Sequence, residues 1–216
     1  MFRIKAIIAS LLLLTSFVFS NQFNDAVEAY EKGNYIQALN TFYLLAKTGD
    51  VNAQFNVGLI YENGKGVKVN ILEAMGWYKR AANNGNAAAA YNLAHLYQER
   101  EGSDPEALKK AVKWYEVAIK KGSKEAYNNL GAMYIQGKGV KQNKRKAFEL
   151  FKNAAMLDNN NAKVNLAIMY TWGTENPKDT MKTYTYLKDA LQSGNTEAGK
   201  YLNMLCEEKP WVCKED

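Results

Sequence analysis

Metal and redox chemistry need clustered thiol or imidazole ligands, and this chain has few of either. Its 216 residues include one histidine, His95, and two cysteines, Cys206 and Cys213. Zinc sites draw three or four ligands from Cys, His and carboxylates, so a zinc site of conventional ligands is excluded and no metal is expected. A redox pair of the Cys-x-x-Cys kind has two intervening residues, whereas six separate Cys206 from Cys213, a spacing better suited to a structural staple. Gly58, Gly64 and Lys65 imitate a phosphate-binding loop. The two glycines are six positions apart where the motif needs five, and Gly66 stands where a magnesium-binding Ser or Thr belongs. Gly131, Gly137 and Lys138 repeat the same mismatch. No nucleotide or other cofactor is expected, and no catalytic residue. What does recur is an amide, at Asn56, Asn92, Asn129 and Asn165. Asparagine is a poor helix former, so four copies in phase need a reason. A side-chain amide both donates and accepts, which suits reading an extended peptide backbone. It equally suits tying one structural unit to the next.

The elements that carry these residues are copies of one unit. Gly49, Gly85, Gly122, Asp158 and Gly194 recur every 36 or 37 residues, and Ala53, Ala89, Ala126, Ala162 and Ala198 follow each by four. A second small column runs through Gly58, Ala94, Gly131 and Ala167, with Tyr61, Tyr97, Tyr134 and Tyr170 three positions later. The second half of each unit offers Ala74, Ala111 and Ala147, then Trp77-Tyr78, Trp114-Tyr115 and Leu150-Phe151, then Ala81, Ala118 and Ala154. Small and aromatic residues at i and i+3, followed by apolar positions at i, i+3, i+4 and i+7, are two amphipathic helices. Neither buries its stripe alone, so neighbouring hairpins must stack to do it.

In chain order, Met1 to Ser20 stands apart. Arg3 and Lys5 precede an uncharged apolar run from Ala6 to Phe19, which reads as a secretory signal peptide cleaved near Ser20. The run is short for a bilayer span of about 20 residues, and no transmembrane segment is expected after cleavage. Loss of Arg3 and Lys5 lowers the formal charge from +6 to +4. Residues 21–49 form a first hairpin with a short turn at Gly33-Asn34-Tyr35. Four longer units follow at 50–85, 86–122, 123–158 and 159–194, and 195–216 is a C-terminal cap holding Cys206 and Cys213. In an exported chain, pairing of these two is the default. The third unit replaces its glycine loop with Ser103-Asp104-Pro105, where Ser103 or Asp104 could cap the next helix with Pro105 in its first turn. The fifth carries Glu175-Asn176-Pro177 after Gly173.

Gly64-Lys65-Gly66-Val67 and Gly137-Lys138-Gly139-Val140, set between the Leu-Gly-x-x-Tyr and Lys-Ala/Trp-Tyr stretches, resemble the Sel1-like repeat, a relative of the tetratricopeptide repeat. The likeness runs from Asp50 to Asn195, with the first hairpin in the tetratricopeptide form. It implies an all-α fold, an α/α solenoid wound as a right-handed superhelix of about five hairpins plus a capping helix, some eleven helices in all. It also implies a non-catalytic scaffold. In peptide-binding tetratricopeptide domains an asparagine at the column of Asn56, Asn92, Asn129 and Asn165 bonds the ligand main chain. The same analogy projects Phe55, Leu59, Glu62, Tyr91, His95, Gln98, Asn128, Ile135, Val164, Ile168 and Trp172 onto the inner, concave face, an apolar and aromatic set suited to a protein or peptide partner. On that basis Asn92→Ala with Asn129→Ala weakens partner capture and leaves thermal stability almost unchanged.

Cysteine-rich members of the family are described as β-lactamases or penicillin binders, which makes a hydrolase the alternative. Lys47-Thr48-Gly49 is a literal match to one of its motifs, but no Ser-x-x-Lys or Ser-Asp-Asn accompanies it, and the repeated cysteine pairs of those relatives are missing. The basic residues Lys79-Arg80, Lys109-Lys110, Lys113, Lys120-Lys121, Lys141, Lys144-Arg145-Lys146 and Lys152 fall on or beside second helices. A basic convex face could meet a membrane surface; with glutamates interspersed, it reads first as a solvated face. Nucleic acid is not an expected partner. The expectation is an exported adaptor, periplasmic or secreted from a bacterium.

Overall fold

A computed structural model describes residues 21–102, 104, 106–173 and 179–214. The expected signal peptide, Ser103 and Pro105, and Glu175-Asn176-Pro177 lie outside the described residues. Among those described there are eleven α-helices: α1 (21–31), α2 (Tyr35–Lys47), α3 (Val51–Asn63), α4 (Ile71–Asn83), α5 (Ala87–Glu99), α6 (Ala107–Lys120), α7 (Lys124–Gln136), α8 (Lys144–Met156), α9 (Asn160–Trp172), α10 (Thr180–Gln192) and α11 (Thr196–Glu208). A short 3₁₀ helix, Pro210–Cys213, follows. The fold class is all-α, built of consecutive helical hairpins.

Local chemistry sets the boundaries. The residue after each unit-closing turn caps a first helix: Asp50, Asn86, Ser123, Asn159 and Asn195 accept from the backbone N–H of Ala53, Ala89, Ala126, Ala162 and Ala198. Asn70, Asn143 and Asp179 do the same for the second helices α4, α8 and α10. In the third unit the arrangement differs from the expected cap. Asp104 accepts from Glu106 N–H at 2.9 Å, and α6 starts at Ala107 without a side-chain cap. The turn position itself has positive φ. Asp158 is the non-glycine example, at φ 57°, and its carboxylate pairs with Lys163 at 3.1 Å. Lys163 is only 4% exposed, and Asp189 of α10 completes its pairing at 2.7 Å. Burial disfavours this ammonium, but the Asp189 and Asp158 bonds outweigh it and hold its pKa above the ordinary lysine value.

The chain divides into two compact units, with the break between Leu96 and Tyr97 inside α5. In the first, α2 packs on α3 and α3 on α4. Its core comprises Ala26, Ala29, Ala38, Phe42, Leu45, Val57, Ile60 and Trp77, with the loop residue Val67 packed against it. In the second, each helix from α6 to α11 packs on the next, and Val164, Ala167, Leu187, Ala190, Ala198 and Leu205 close its C-terminal core. Val164 is therefore a core residue and not the inner-face residue projected for it. Cys206 and Cys213 form the expected disulfide, with Cα atoms 5.7 Å apart, which pins the 3₁₀ turn to α11 and seats Val212 in the interior.

The small columns work against rings. A Cβ on Gly58 would lie 2.6 Å from the Tyr78 ring, and one on Gly131 would lie 2.7 Å from Phe151. The absent methyl makes room for the aromatic side chain of the paired second helix. Tyr134 is buried and Tyr61, Tyr97 and Tyr170 are half-buried. Lys110, Lys146 and Lys182, one column on the second helices, lie over Tyr97, Tyr134 and Tyr170 at 4.4–5.6 Å from the ring centres. Among the described residues no helix is long and apolar enough to cross a membrane.

Candidate functional site

The asparagine column sits on α3, α5, α7 and α9, and its bonds follow the rings beneath it. In the unit 50–85 the fully buried Tyr78 donates its hydroxyl to Glu62 of α3 and accepts from the Asn92 amide of α5. One phenol thereby joins its own hairpin to the next helix. Burial foremost, and the Glu62 bond second, push its pKa above the ordinary tyrosine value. The unit 86–122 repeats the arrangement. Tyr115 donates to Gln98 at 2.9 Å, and the Asn129 amide donates to Tyr115 at 3.2 Å. Phe151 occupies the next ring position and has no hydroxyl. There Asn165 donates instead to Asn128 Oδ1 at 2.9 Å, and Asn128 donates to Asn129 at 3.4 Å. Asn56 donates to the Asn52 carbonyl of its own helix at 3.0 Å. Asn92, Asn129 and Asn165 each bond a side chain of the preceding hairpin.

The projected aromatic set divides. Phe55 is half-buried, its ring 5.7 Å from that of Tyr78. Tyr91 stacks on the exposed His95 at 6.4 Å. Trp172 is 75% exposed and lies at an apolar hollow of about 400 Å³ that sequence reading did not anticipate. Its walls come from α9 (Ala167, Ile168, Thr171), α10 (Thr183, Leu187) and α11 (Tyr201, Met204, Leu205, Glu208). The signal for it was present in the repeat: the ring column Tyr78, Tyr115, Phe151 continues at Leu187.

The motif look-alikes have structural duties. Thr48 of Lys47-Thr48-Gly49 is the C-cap of α2 and donates its hydroxyl to the Leu45 carbonyl at 2.8 Å. Gly64 ends α3 in the left-handed conformation. The basic residues of the second helices are partly engaged within the chain. Arg80 lies over Trp77, Lys109 pairs with Glu106, and Lys110 pairs with Asp104.

Comparison with known proteins gives a consistent picture. A protein-family model described as Sel1 repeat matches residues 51–86, 87–123 and 124–159. No curated protein matches the chain. Among solved structures, a Sel1 repeat protein from Oxalobacter formigenes is 31% identical with a TM-score of 0.76, over 85% of this chain and 74% of that one. The protective antigen c5321 of uropathogenic Escherichia coli, which displays the same repeat fold, is 28% identical with a TM-score of 0.78. That match covers 88% of this chain and 42% of the antigen, so the chain spans less than half the antigen's length. The immunity protein Pa5087 of Pseudomonas aeruginosa, 18% identical with a TM-score of 0.53 over 83% of this chain and 67% of its own, shares the fold alone.

Proposed function

Because the chain belongs to the Sel1 repeat family, whose solenoids generally serve as protein-interaction scaffolds, we propose that it is a non-catalytic adaptor. It holds a protein or peptide partner against the side chains that its first helices expose, in the bacterial envelope or outside the cell. The observation that carries this reading is where the ring side chains of the first helices lie. The exposed His95 stacked on half-buried Tyr91 of α5, and the exposed Trp172 at its hollow on α9, place rings on first helices. The neighbouring amides are held by the protein's own hydroxyls and amides. The partner is met by preformed aromatic side chains, and the asparagines keep the hairpins in register.

Two features support export: the basic start and apolar run of Met1 to Ser20, and a disulfide of the kind that persists in oxidising compartments. N-terminal sequencing of the mature protein is expected to begin at Asn21. The test of the scaffold is photocrosslinking in cells, from Tyr91 and Trp172 positions against the exposed Lys152 on α8. A discrete partner captured from the first two and not from Lys152 supports the reading. Equal capture from Lys152, or none from either ring position, overturns it.

A further inference from the structure

In the last hairpin the repeat keeps its small residue and loses its ring. Tyr78 and Tyr115 are fully buried and Phe151 is nearly so. Gly58 lies against the Tyr78 ring and Gly131 against Phe151. At the fourth copy Ala167 is still small, but Leu187 stands in the ring position, and Thr183 replaces the alanine of Ala74, Ala111 and Ala147. The hollow of about 400 Å³ lies at this lapse, with Ala167, Leu187 and Thr183 in its wall. It is within the range of ligand pockets of roughly 300–1,000 Å³.

We infer that this hollow binds a tyrosine side chain of the partner with a lysine or arginine next to it. The inference rests on the scaffold reading and names the chemistry of its anchor. Three observations select the occupant. First, the walls are aliphatic and aromatic, and a ring fills the corresponding position of the earlier hairpins. Second, the phenols of Tyr78 and Tyr115 donate to Glu62 and Gln98, and the same column in the last hairpin is Thr171. The Thr171 hydroxyl donates to the Ala167 carbonyl at 2.9 Å and its oxygen meets the Thr183 hydroxyl at 3.3 Å, which leaves one lone pair to accept from an incoming phenol. Third, the mouth is complementary to a cation. Among the described residues Glu208 has no ion pair, and no lysine or arginine lies over Trp172, whereas Lys110, Lys146 and Lys182 cover Tyr97, Tyr134 and Tyr170. A carboxylate and an open indole face together favour a basic side chain.

The test titrates the purified full chain with three blocked dipeptides, N-acetyl-Tyr-Lys-amide, N-acetyl-Tyr-Glu-amide and N-acetyl-Ala-Lys-amide. The readout is the indole N–H resonance of Trp172, assigned by Trp172→Phe. The Tyr-Lys probe is expected to shift this resonance saturably. The Tyr-Glu probe should bind at least about threefold more weakly, the scale of one exposed ion pair, and the Ala-Lys probe should leave the resonance unmoved. Leu187→Phe supplies the missing ring from within and should abolish the response while the unfolding midpoint is kept or raised. Glu208→Gln, a surface change independent of packing, should reduce Tyr-Lys binding to the Tyr-Glu level. Absence of a Tyr-Lys shift overturns the inference, as does an equal response to Ala-Lys or an undiminished response in folded Leu187→Phe. If that happens while crosslinking from Tyr91 persists, the hollow is removed and the scaffold stands; loss of both removes the scaffold.

Discussion

Tyr78 brings a phenol to the interface of three helices, and its hydroxyl is what a conservative substitution isolates. Tyr78→Phe keeps the ring, as Phe151 does naturally in the same column, and strands Glu62 and Asn92. Both are half-buried and partly regain water, so the cost is that of one net hydrogen bond, about 0.5–1.5 kcal/mol, to be read as a lower denaturation midpoint. The hydroxyl also gives a pH signature. Its folded pKa is raised, by burial first and the Glu62 bond second, so the neutral phenol belongs to the native state. Its contribution is complete below the unfolded value of about 10 and declines as pH rises past it, because only the unfolded chain releases the proton easily. Denaturant titrations from neutral to alkaline pH should show that decline in wild type and less of it in Tyr78→Phe. The asparagine bonds add a stability expectation to the binding one. From sequence, removing Asn92 and Asn129 spares stability and weakens capture. With both amides bonded to buried phenols, Asn92→Ala with Asn129→Ala is expected to destabilise by about 1 kcal/mol per lost bond, visible as a lower melting temperature before any binding assay.

The helical hairpin is where glycine and ring act as one part. Tyr78 cannot retreat from residue 58, being fully buried and bonded at its far end. Gly58→Ala therefore sets about 1 kcal/mol of helix propensity against overpacking of about 1–3 kcal/mol, and the contact at 2.6 Å decides for net loss. Chemical denaturation of the single variant measures it, and an increase in stability would refute the tight seam. Caps belong to this scale too. Asp179 opens α10, and the Lys182 backbone N–H foremost, with its ammonium, holds the Asp179 carboxyl below the ordinary aspartate range. A depressed carboxylate stabilises the fold above its unfolded pKa and loses that contribution as pH falls through its folded one. Acid should therefore loosen α10 below about pH 4, and Asp179→Asn should flatten that acid limb. Sequence showed the period but not these caps, because Asp, Asn and Ser at a turn reveal no bonding partner until the backbone N–H groups of the next helix are in place.

Across the whole molecule, the C-terminal staple is the feature with a separable effect. A loop of this size gives about 2–3 kcal/mol by the chain-entropy model. Reduction of Cys206–Cys213 is expected to raise amide exchange in α11 and the 3₁₀ turn while α3 and α4 of the other compact unit are unaffected; uniform loosening would contradict the repeat's nearest-neighbour character. The amino-acid sequence determined the period, the helical hairpins, the small-against-large seam and the disulfide pair, because each is a matter of spacing along one chain and of faces that must be buried. It also marked Trp172 and the asparagine column as special. It did not determine what the amides bond, that Val164 is core, or that a hollow opens where Leu187 follows two tyrosines and a phenylalanine. Those are decided in the packed structure alone, since a hydrogen-bond partner, a burial and an empty volume are each relations among helices, here α9, α10 and α11, that no single stretch of sequence contains.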